Sequence, residues 1–380
     1  MSTDGVDERH QLFAIVVPGL EGVAAEELAE LGLDEPTVVP GGVTVRGSLS
    51  QLFLANLRLR IASRLLLRVG EVRARAFSEL SRRVATLPWE RYLPPGQPLP
   101  PVRASSHASR LYHTTAIAEA VYEGLSRRLG GGEPGPAGDR EDQDGALLVR
   151  LQCDRCTLSL DSSGELLHRR GYRQEVRRAP LRETLAAGVL RLARWDPTAP
   201  LVDPCCGTGT ILLEGFGLAV GAAAGADRRF AMERWPAVAD LDLPAQRCAV
   251  GTSRRPAPPG PLVGGDVQPG ALAAARGNAA RAGALAHLQL FTCDFEELPL
   301  PSPPGWLISN LPYGERLGDR RSIVTLYRRL GQHLRRVARG WRIALLVGAR
   351  SPADALGWRW DTVTRLANGG LPVRLLQGRC

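Results

Sequence analysis

The sequence predicts an α/β protein in which a doubly wound domain with a parallel sheet follows a smaller α+β region. From Leu181 onward, short apolar runs alternate with helical stretches, and this order is typical of a parallel sheet covered by helices on both faces. The first apolar run ends in a glycine-rich turn that leads into an apolar helix. A βαβα pattern opens the chain, which predicts the separate α+β region.

The opening pattern is read from hydrophobic periodicity. Residues 12–17 predict a buried strand, and residues 23–31 predict an amphipathic helix with glutamates on its outer face. A β-prone segment follows at 43–45. Residues 52–69 carry apolar side chains at helical spacing with arginines between them, which predicts a second helix.

The middle of the chain continues the α+β region. Its predicted elements are a strand at 102–105, a helix at 113–129, a polar loop rich in glycine and proline at 130–145, and strands at 146–153 and 156–161. Asp154 and Arg155 stand where a hairpin turn is expected. The character of the sequence changes after Gly164, so we expect one domain over residues 1–164 and a second over 165–380.

The second domain carries the alternating pattern. Its apolar strands are predicted at 200–203, 262–266, 288–293, 306–309 and 343–347. A long irregular segment at 228–261 interrupts the alternation. Because catalytic groups of an open α/β sheet gather at the carboxyl ends of its strands, the residues that follow these runs are the candidates for a site.

Composition narrows the class of protein. The chain has 380 residues and is 44% hydrophobic, enough for a sizeable core, yet no apolar run is long enough to cross a bilayer. The N-terminus is acidic and polar, which does not resemble a secretory signal. Seven cysteines, an odd number without framework spacing, fit a reducing compartment. We therefore expect a cytoplasmic protein with no membrane partner.

The net charge of +9 suggests a polyanionic partner such as RNA. All 48 basic residues are arginine, however, and this bias is typical of a GC-rich genome. The charge alone is therefore weak support for nucleic-acid binding.

The strongest motif lies at 201–214, where an apolar strand runs into Asp-Pro-Cys-Cys-Gly-Thr-Gly-Thr and then a helix. Glycines there let the backbone approach a ligand closely. A Gly-x-Gly turn alone also occurs in plain β–α connections, but the whole string is more specific. The residues expected to bind a cofactor in this loop are Asp203, Pro204, Cys205, Gly207, Gly209 and Thr210.

Two further strand ends carry acids. Asp266 can accept hydrogen bonds from two ribose hydroxyls, and Asp294 can accept from an adenine amine while Phe295 packs on the ring. Each acid alone could be a solvent-exposed loop residue, but three in order favour a nucleoside site. A dinucleotide is disfavoured because Gly-x-Gly-x-x-Gly is absent, and a chain without lysine has no Walker motif.

The next strand ends in Asn310-Leu311-Pro312-Tyr313. An exocyclic base amine is a poor nucleophile because its lone pair is conjugated into the ring. The Asn310 side-chain carbonyl and the backbone carbonyl of Leu311 or Pro312 could accept both amine protons and localise that lone pair. Tyr313 could stack on a flipped base. We predict that Asn310, Pro312 and Tyr313 are catalytic, against the plainer interpretation of a strand end beside a core tyrosine.

These strings together resemble the THUMP-domain class I methyltransferases that act on RNA. The resemblance rests on residues 102–106, 163–173, 179–187, 203–210, 229–236 and 310–316. It implies a ferredoxin-like and THUMP region that binds RNA, followed by a Rossmann-like methyltransferase domain that uses S-adenosyl-L-methionine. It also implies that the Ala-Pro-Leu-x-Glu-Thr helix borders the cofactor pocket.

The resemblance departs at Leu311, where the commonest family form has proline. Leucine there is familiar among guanine-N2 enzymes acting on tRNA, whereas the segments around it and at 167–173 resemble enzymes for large-subunit rRNA. The resemblance therefore implies N2-methylguanosine formation in large-subunit rRNA. The alternatives are a tRNA guanine-N2 enzyme, an N6-adenine or glutamine-amide methyltransferase, and a non-catalytic RNA-binding protein.

The densest basic stretch offers an RNA contact. Arg169, Arg170, Tyr172 and Arg173 combine charge with an aromatic ring and are predicted to contact phosphates, although a charge run is more often a solvated face. Cys153 and Cys156 lack a second ligand pair, so no metal is expected. Cys205 and Cys206 have no neighbouring histidine to activate them, so they are interpreted as small residues beside the cofactor.

Overall fold

The computed structural model describes residues 8–131, 145–173, 181–313 and 320–380. Most of the polar loop predicted at 130–145 lies outside these residues, as do parts of the basic stretch at 168–182 and of the motifs at 179–187 and 310–316. The chain forms two compact units. The first contains residues up to Val16, Ala25–Leu167 and Asp227–Cys248, and the second contains Val17–Ala24, His168–Ala226 and Ala249–Cys380. The domain boundary between residues 164 and 165 stays a prediction.

The described residues form the following strands and α-helices. The strands are β1 (His10–Ile15), β2 (Asp34–Val39), β3 (Gly42–Gly47), β4 (Arg64–Arg73), β5 (Val102–His107), β6 (Leu147–Gln152), β7 (Arg155–Asp161), β8 (Leu201–Asp203), β9 (Leu262–Asp266), β10 (Leu288–Thr292), β11 (Trp306–Asn310), β12 (Arg342–Gly348), β13 (Thr362–Asn368) and β14 (Leu371–Arg379). The α-helices are α1 (Glu21–Glu30), α2 (Leu49–Arg58), α3 (Phe77–Val84), α4 (Thr114–Leu129), α5 (Glu183–Leu192), α6 (Thr210–Val220), α7 (Leu243–Thr252), α8 (Pro269–Arg281) and α9 (Arg320–Val337).

The first unit is built on one sheet with the strand order β2-β3-β1-β4-β7-β6-β5. All its pairs are antiparallel except β5 with β6. Helices α3 and α4 pack together and against β4 and β5. Along β6, buried Leu147, Val149 and Leu151 alternate with more exposed side chains, which is the pattern of a sheet covered on one face. An α+β region is therefore confirmed.

The helix predicted over 52–69 is wrong in its second half. Helix α2 ends at Arg58, and β4 begins at Arg64. The consecutive leucines at 65–67 fit a buried helix and a buried strand equally well by periodicity, and pairing with β1 and β7 decides for the strand. The predicted hairpin turn also shifts by one residue, because Cys153 and Asp154 have the positive φ values, 51° and 61°, that a tight two-residue turn needs.

The irregular segment at 228–261 divides between the units. Its first part packs in the first unit, where the Phe230 ring lies edge-on to Phe53 and the Trp235 ring lies edge-on to Tyr92. Met232 is fully buried. These aromatic contacts explain why the chain leaves the second unit at this point.

The second unit is built on a mixed sheet with the order β10-β9-β8-β11-β12-β14-β13. The strands from β10 to β12 run parallel, and β14 and β13 are added antiparallel at one edge. The chain order reverses between β8 and β11, which is the switch point at which open α/β sheets bind ligands. Among the described residues, no helix has the length and apolar character needed to cross a membrane.

Candidate functional site

A cavity of about 550 Å³ lies at the carboxyl ends of the parallel strands of the second unit. Its volume lies within the usual range for small-molecule sites, which is roughly 300–1,000 Å³. The cavity collects residues that are distant in sequence. Of the predicted site residues, those that line it are Asp203, Pro204, Cys205, Gly207, Thr210, Asp266, Asp294, Phe295, Asn310 and Pro312.

The glycine-rich loop after β8 forms one wall. Gly207 and Gly209 have φ values of +53° and +82°, a region that disfavours other residues. Gly209 does not line the cavity, and a Cβ on it would lie 3.4 Å from the Ala275 Cβ in α8. The Thr208 carbonyl accepts a hydrogen bond of 3.1 Å from the Asn278 amide of the same helix. The loop is thus packed closely onto α8.

Asp203 is a buried carboxyl, 2% exposed, at the end of β8. Its Oδ1 accepts hydrogen bonds from the Ser309 hydroxyl at 2.6 Å and from the Cys205 amide at 3.2 Å. Burial raises the pKa of Asp203 to about 7, and the charge of Asp266 acts in the same direction. A ligand that brings positive charge into this cavity therefore favours the ionised carboxylate.

Asp266, at the end of β9, is oriented by the backbone. Its Oδ2 accepts from the Gly207 amide and its Oδ1 from the Gln268 amide, both at 2.9 Å. A carboxylate has about four acceptor positions, so each oxygen keeps capacity for a ligand hydroxyl. The paired bonds fix the carboxylate where it borders the cavity.

Asp294 and Phe295 also line the cavity and contact Arg329 of α9. The Arg329 guanidinium lies 3.1 Å from the Asp294 Oδ2, 2.8 Å from the Glu296 Oε2 and 5.2 Å from the centre of the Phe295 ring. Phe295 is 5% exposed. Sequence reasoning missed Arg329 and Leu326, which both line the cavity; their spacing on one helical face was the available signal.

Asn310, at the end of β11, presents an unusual polar atom. Its side-chain Oδ1 is buried and has no hydrogen-bond partner among the described residues, although the side chain lines the cavity. A buried acceptor without a partner costs about 1–3 kcal/mol, so such atoms commonly mark a site that a ligand completes. A ligand N–H donor would satisfy it.

The backbone carbonyl of Pro312, which follows Asn310 closely in the sequence, is a second acceptor at this strand end. It accepts a hydrogen bond of 3.1 Å from the hydroxyl of Tyr327 in α9. Burial raises the pKa of Tyr327 to about 12, so this phenol stays protonated and continues to donate. The carbonyl keeps a second lone pair for a ligand. Sequence reasoning missed Tyr327, because it lies outside the strand-end motifs.

Tyr313 is placed away from the cavity. Its side chain is buried, 7% exposed, and its hydroxyl accepts a hydrogen bond of 3.0 Å from the Asn368 amide of β13. In this arrangement the ring packs inside the unit and does not border the cavity. Stacking of Tyr313 on a base stays a prediction and would require the side chain to rotate.

The predicted phosphate contacts are largely buried in the second unit. The Tyr172 hydroxyl donates to Glu214 at 3.2 Å, and Arg170 lies 3.6 Å from the same carboxylate. Arg173 donates to the Thr210 hydroxyl at 2.6 Å and pairs with Glu183. Arg169 is exposed. Contact with RNA stays a prediction for all four residues, and three of them have well-defined intramolecular partners.

The two cysteines of the glycine-rich loop, Cys205 and Cys206, are not arranged as nucleophiles. Burial raises the pKa of Cys205 and Cys206 far above the ordinary value, so both stay protonated. Cys153 is exposed and Cys156 is buried on the β6–β7 hairpin. Within the described ranges, no group of three or more His, Cys, Asp or Glu side chains is arranged to hold a metal ion.

The sequence matches three family models. Residues 170–377, more than half of the chain, match the RMKL-like methyltransferase domain. The chain belongs to this family. Residues 11–66 match the RlmL ferredoxin-like domain, and residues 74–161 match the THUMP domain. The predicted family and domain types are therefore confirmed.

Individual relatives that match most of this chain are named as RNA methyltransferases. The Synechocystis sp. protein slr0064, which is named as a candidate RNA methyltransferase, is 32% identical over 96% of this chain and 95% of its own length. A ribosomal RNA large subunit methyltransferase K/L of Syntrophotalea carbinolica is 34% identical over 98% of this chain and 54% of its own length. The chain thus spans about half the length of that K/L relative.

A solved structure agrees in fold over the whole chain. The methyltransferase-like protein SMU.472, crystallised with SAH, superposes with a TM-score of 0.87 at 30% identity, over 98% of each chain. The match shows that the fold of this chain is shared with that protein over nearly the whole length of both.

Proposed function

We propose that this protein transfers a methyl group from S-adenosyl-L-methionine to the exocyclic N2 amine of a guanine in large-subunit ribosomal RNA. The observation that carries the proposal is the buried Asn310 Oδ1, which has no partner among the described residues and borders the cavity. An amine N–H is the donor that this acceptor lacks.

The residues around the cavity fit the cofactor. Asp266 would accept the ribose hydroxyls, and Asp294 with Phe295 would hold the adenine. Asp203 supplies negative charge close to a ligand that carries sulfonium and ammonium groups. The related structure crystallised with SAH, at 30% identity, supports the same assignment. When bound, S-adenosyl-L-methionine supplies an electrophilic methyl group on a positively charged sulfur.

The strand end at Asn310 prepares the amine. The Asn310 Oδ1 would accept one amine N–H and the Pro312 carbonyl the other, so the nitrogen lone pair turns out of conjugation with the ring. Tyr327 keeps the Pro312 carbonyl in place through its 3.1 Å hydrogen bond. The amine lone pair would form the new N–C bond as the methyl–sulfur bond breaks and its electron pair stays on the sulfur, and the surplus amine proton would pass to water. Positioning and hydrogen bonding therefore account for the rate without a strong base.

The choice of RNA rests on the N-terminal region and on the named relatives. A THUMP domain spans residues 74–161, and the K/L relatives, 34–35% identical, are named for large-subunit ribosomal RNA. The guanine N2 position rests on the strand-end motif. We expect the protein to act in the cytoplasm, where ribosomal RNA is available.

The test uses labelled S-adenosyl-L-methionine and size-fractionated RNA from a strain that lacks this protein, followed by nucleoside mass spectrometry. N2-methylguanosine in the large ribosomal fraction is the expected product. N2-methylguanosine in the tRNA fraction would change the substrate, and N6-methyladenosine would refute the assignment of the base. Cofactor binding without any RNA product would support a non-catalytic RNA-binding protein.

A further inference from the structure

The first unit leaves one face of its sheet exposed across strands β4 to β7. The ladder places His107, Gln152, Arg155 and Arg73 side by side, one from each of four neighbouring strands. All four are exposed. Adjacent strands are roughly 4.8 Å apart, so this row is about 14 Å long. We call the exposed side of these strands the open face.

A second row extends the open face, and a third row, which is less exposed and includes the buried Ser159, follows it. Ser105, Arg150, Thr157 and Glu71 lie in register as the second row, and Arg103, Leu148, Ser159 and Arg68 form the third. The basic side chains of these three rows are Arg68, Arg73, Arg103, His107, Arg150 and Arg155, and two guanidinium nitrogens of Arg103 are buried. Glu71 is the acid in these three rows.

A bulge in β4 brings two of these arginines to the same side. In a regular strand, Arg68 and Arg73 would point to opposite faces, because five is an odd separation. The register shifts between Arg68 and Gly70, so that Arg68 pairs with Ser159 and Arg73 with Arg155. The extra residue restores the parity, and both arginines lie on the open face.

Arginine side chains outnumber acidic side chains on the open face. Arg155 pairs with Glu71, and both side chains are about half exposed, 54% and 45%. Among the described residues, no ion pair involves Arg73 or Arg150. Burial lowers the pKa of the Arg68 guanidinium; the charge of Glu71 opposes this shift, and the charge of Arg150 adds to it. Arg68 and Arg150 are therefore close enough to affect each other, with Glu71 nearby.

The chemistry of the open face selects its partner. Arginine forms paired hydrogen bonds with phosphate, and a row of arginines on adjacent strands presents several such forks in one plane. Protein partners usually bind to a patch with an apolar centre, whereas the first two rows are polar throughout. A flat, cationic and polar surface fits a nucleic-acid backbone.

We propose that the open face binds the phosphate backbone of the RNA substrate, with Arg73 and Arg150 as its principal contacts. This inference rests on the proposed RNA methyltransferase function. It predicts that the open face contributes affinity for RNA without taking part in cofactor binding or methyl transfer.

The test compares the double variant Arg73→Gln/Arg150→Gln with Arg82→Gln/Arg127→Gln, which removes the same charge from the exposed sides of α3 and α4. The probe is protein-free large-subunit ribosomal RNA, and the dissociation constant is measured between roughly 50 and 200 mM salt. The open-face variant should bind on the order of tenfold more weakly, with a slope of log K against log salt smaller by about 1.5. Its calorimetric affinity for S-adenosyl-L-methionine should equal that of the wild type.

Further results test whether the open face binds RNA and whether the variants are folded. Arg73→Lys/Arg150→Lys keeps the charge and should restore most of the salt slope. If the open-face and control variants bind RNA equally, while the wild type methylates this RNA, the open face is not the contact. If the wild type neither binds nor methylates RNA, the proposed function itself fails. Equal thermal midpoints of all variants establish that the exposed substitutions leave the fold intact.

Discussion

Asn310 concentrates the proposed chemistry in one atom. Replacing it with alanine removes the buried acceptor but leaves the cofactor walls formed by Asp266 and Phe295 in place. We expect Asn310→Ala to lower kcat by about 100- to 1,000-fold, the usual effect of losing one oriented hydrogen bond in a transition state. Calorimetry should detect little change in cofactor affinity. Equal losses of kcat and of cofactor affinity would remove Asn310 from the catalytic role.

Asp203 should make cofactor binding depend on pH. In the free protein burial raises its pKa to about 7, so a proton is bound between about pH 4 and pH 7 that the unfolded chain would release. The carboxyl's contribution to folding stability is thus complete below pH 4 and is lost as the pH rises through 7. A cationic cofactor favours the ionised form, so binding releases this proton below pH 7.

The dissociation constant for S-adenosyl-L-methionine should therefore fall as the pH rises from 5.5 to about 7 and then level off. Below the pKa the fall is expected to approach tenfold per pH unit, because one proton is released. Titration calorimetry in buffers of different ionisation enthalpy measures that proton directly. In Asp203→Asn the dependence should disappear; a wild-type profile in this variant would assign the proton to another group.

At the scale of the element, helix α9 completes a site whose other walls come from strand ends. Tyr327 donates to the Pro312 carbonyl and Arg329 pairs with Asp294, so two side chains on one helix contact two residues that line the cavity. Residues two apart on a helix do not face each other, which is why they reach different walls. The helix thus acts on the groups that are proposed to contact the base and the adenine.

Tyr327→Phe tests this role, because it deletes one hydroxyl and keeps the buried ring. We expect kcat to fall by about 3- to 10-fold, equivalent to about 1 kcal/mol for one neutral hydrogen bond, with unchanged cofactor affinity. The KM for RNA should change less than kcat if the phenol positions the carbonyl in the transition state. A fall in thermal stability without any change in kcat would show a purely structural hydroxyl.

At the scale of the whole molecule, the first unit is built from three segments of the chain, the last of which, the return segment, is Asp227–Cys248. The return segment supplies Phe230, Met232 and Trp235, all less than 10% exposed, to a core that otherwise comes from residues before 168. A deletion at the predicted boundary after residue 164 would therefore leave this segment without its apolar partners. Domain deletions are for this reason a poor assay of the RNA-binding region.

Trp235→Ala should destabilise the first unit by about 3–5 kcal/mol, since it removes a large buried aromatic side chain that lies edge-on to Tyr92. The measurement is urea denaturation, with calorimetric titration of the cofactor into the folded variant. The affinity for S-adenosyl-L-methionine should stay close to that of the wild type. If Trp235→Ala lowered the affinity for the cofactor together with the folding stability of the first unit, the two units would not unfold separately.

The sequence by itself determined the strand-end motifs, the α/β order and the acidic residues of the cavity, because each depends on neighbours in the chain. Ten of the predicted site residues border one cavity, because the parallel sheet brings the strand ends that carry them to the same edge. Tertiary structure alone decided that Tyr313 packs inward, that β4 is a strand and that α9 supplies Tyr327. It also decided that a bulge brings Arg68 and Arg73 to one face. These outcomes depend on pairing and packing between residues far apart in sequence, which local periodicity does not encode.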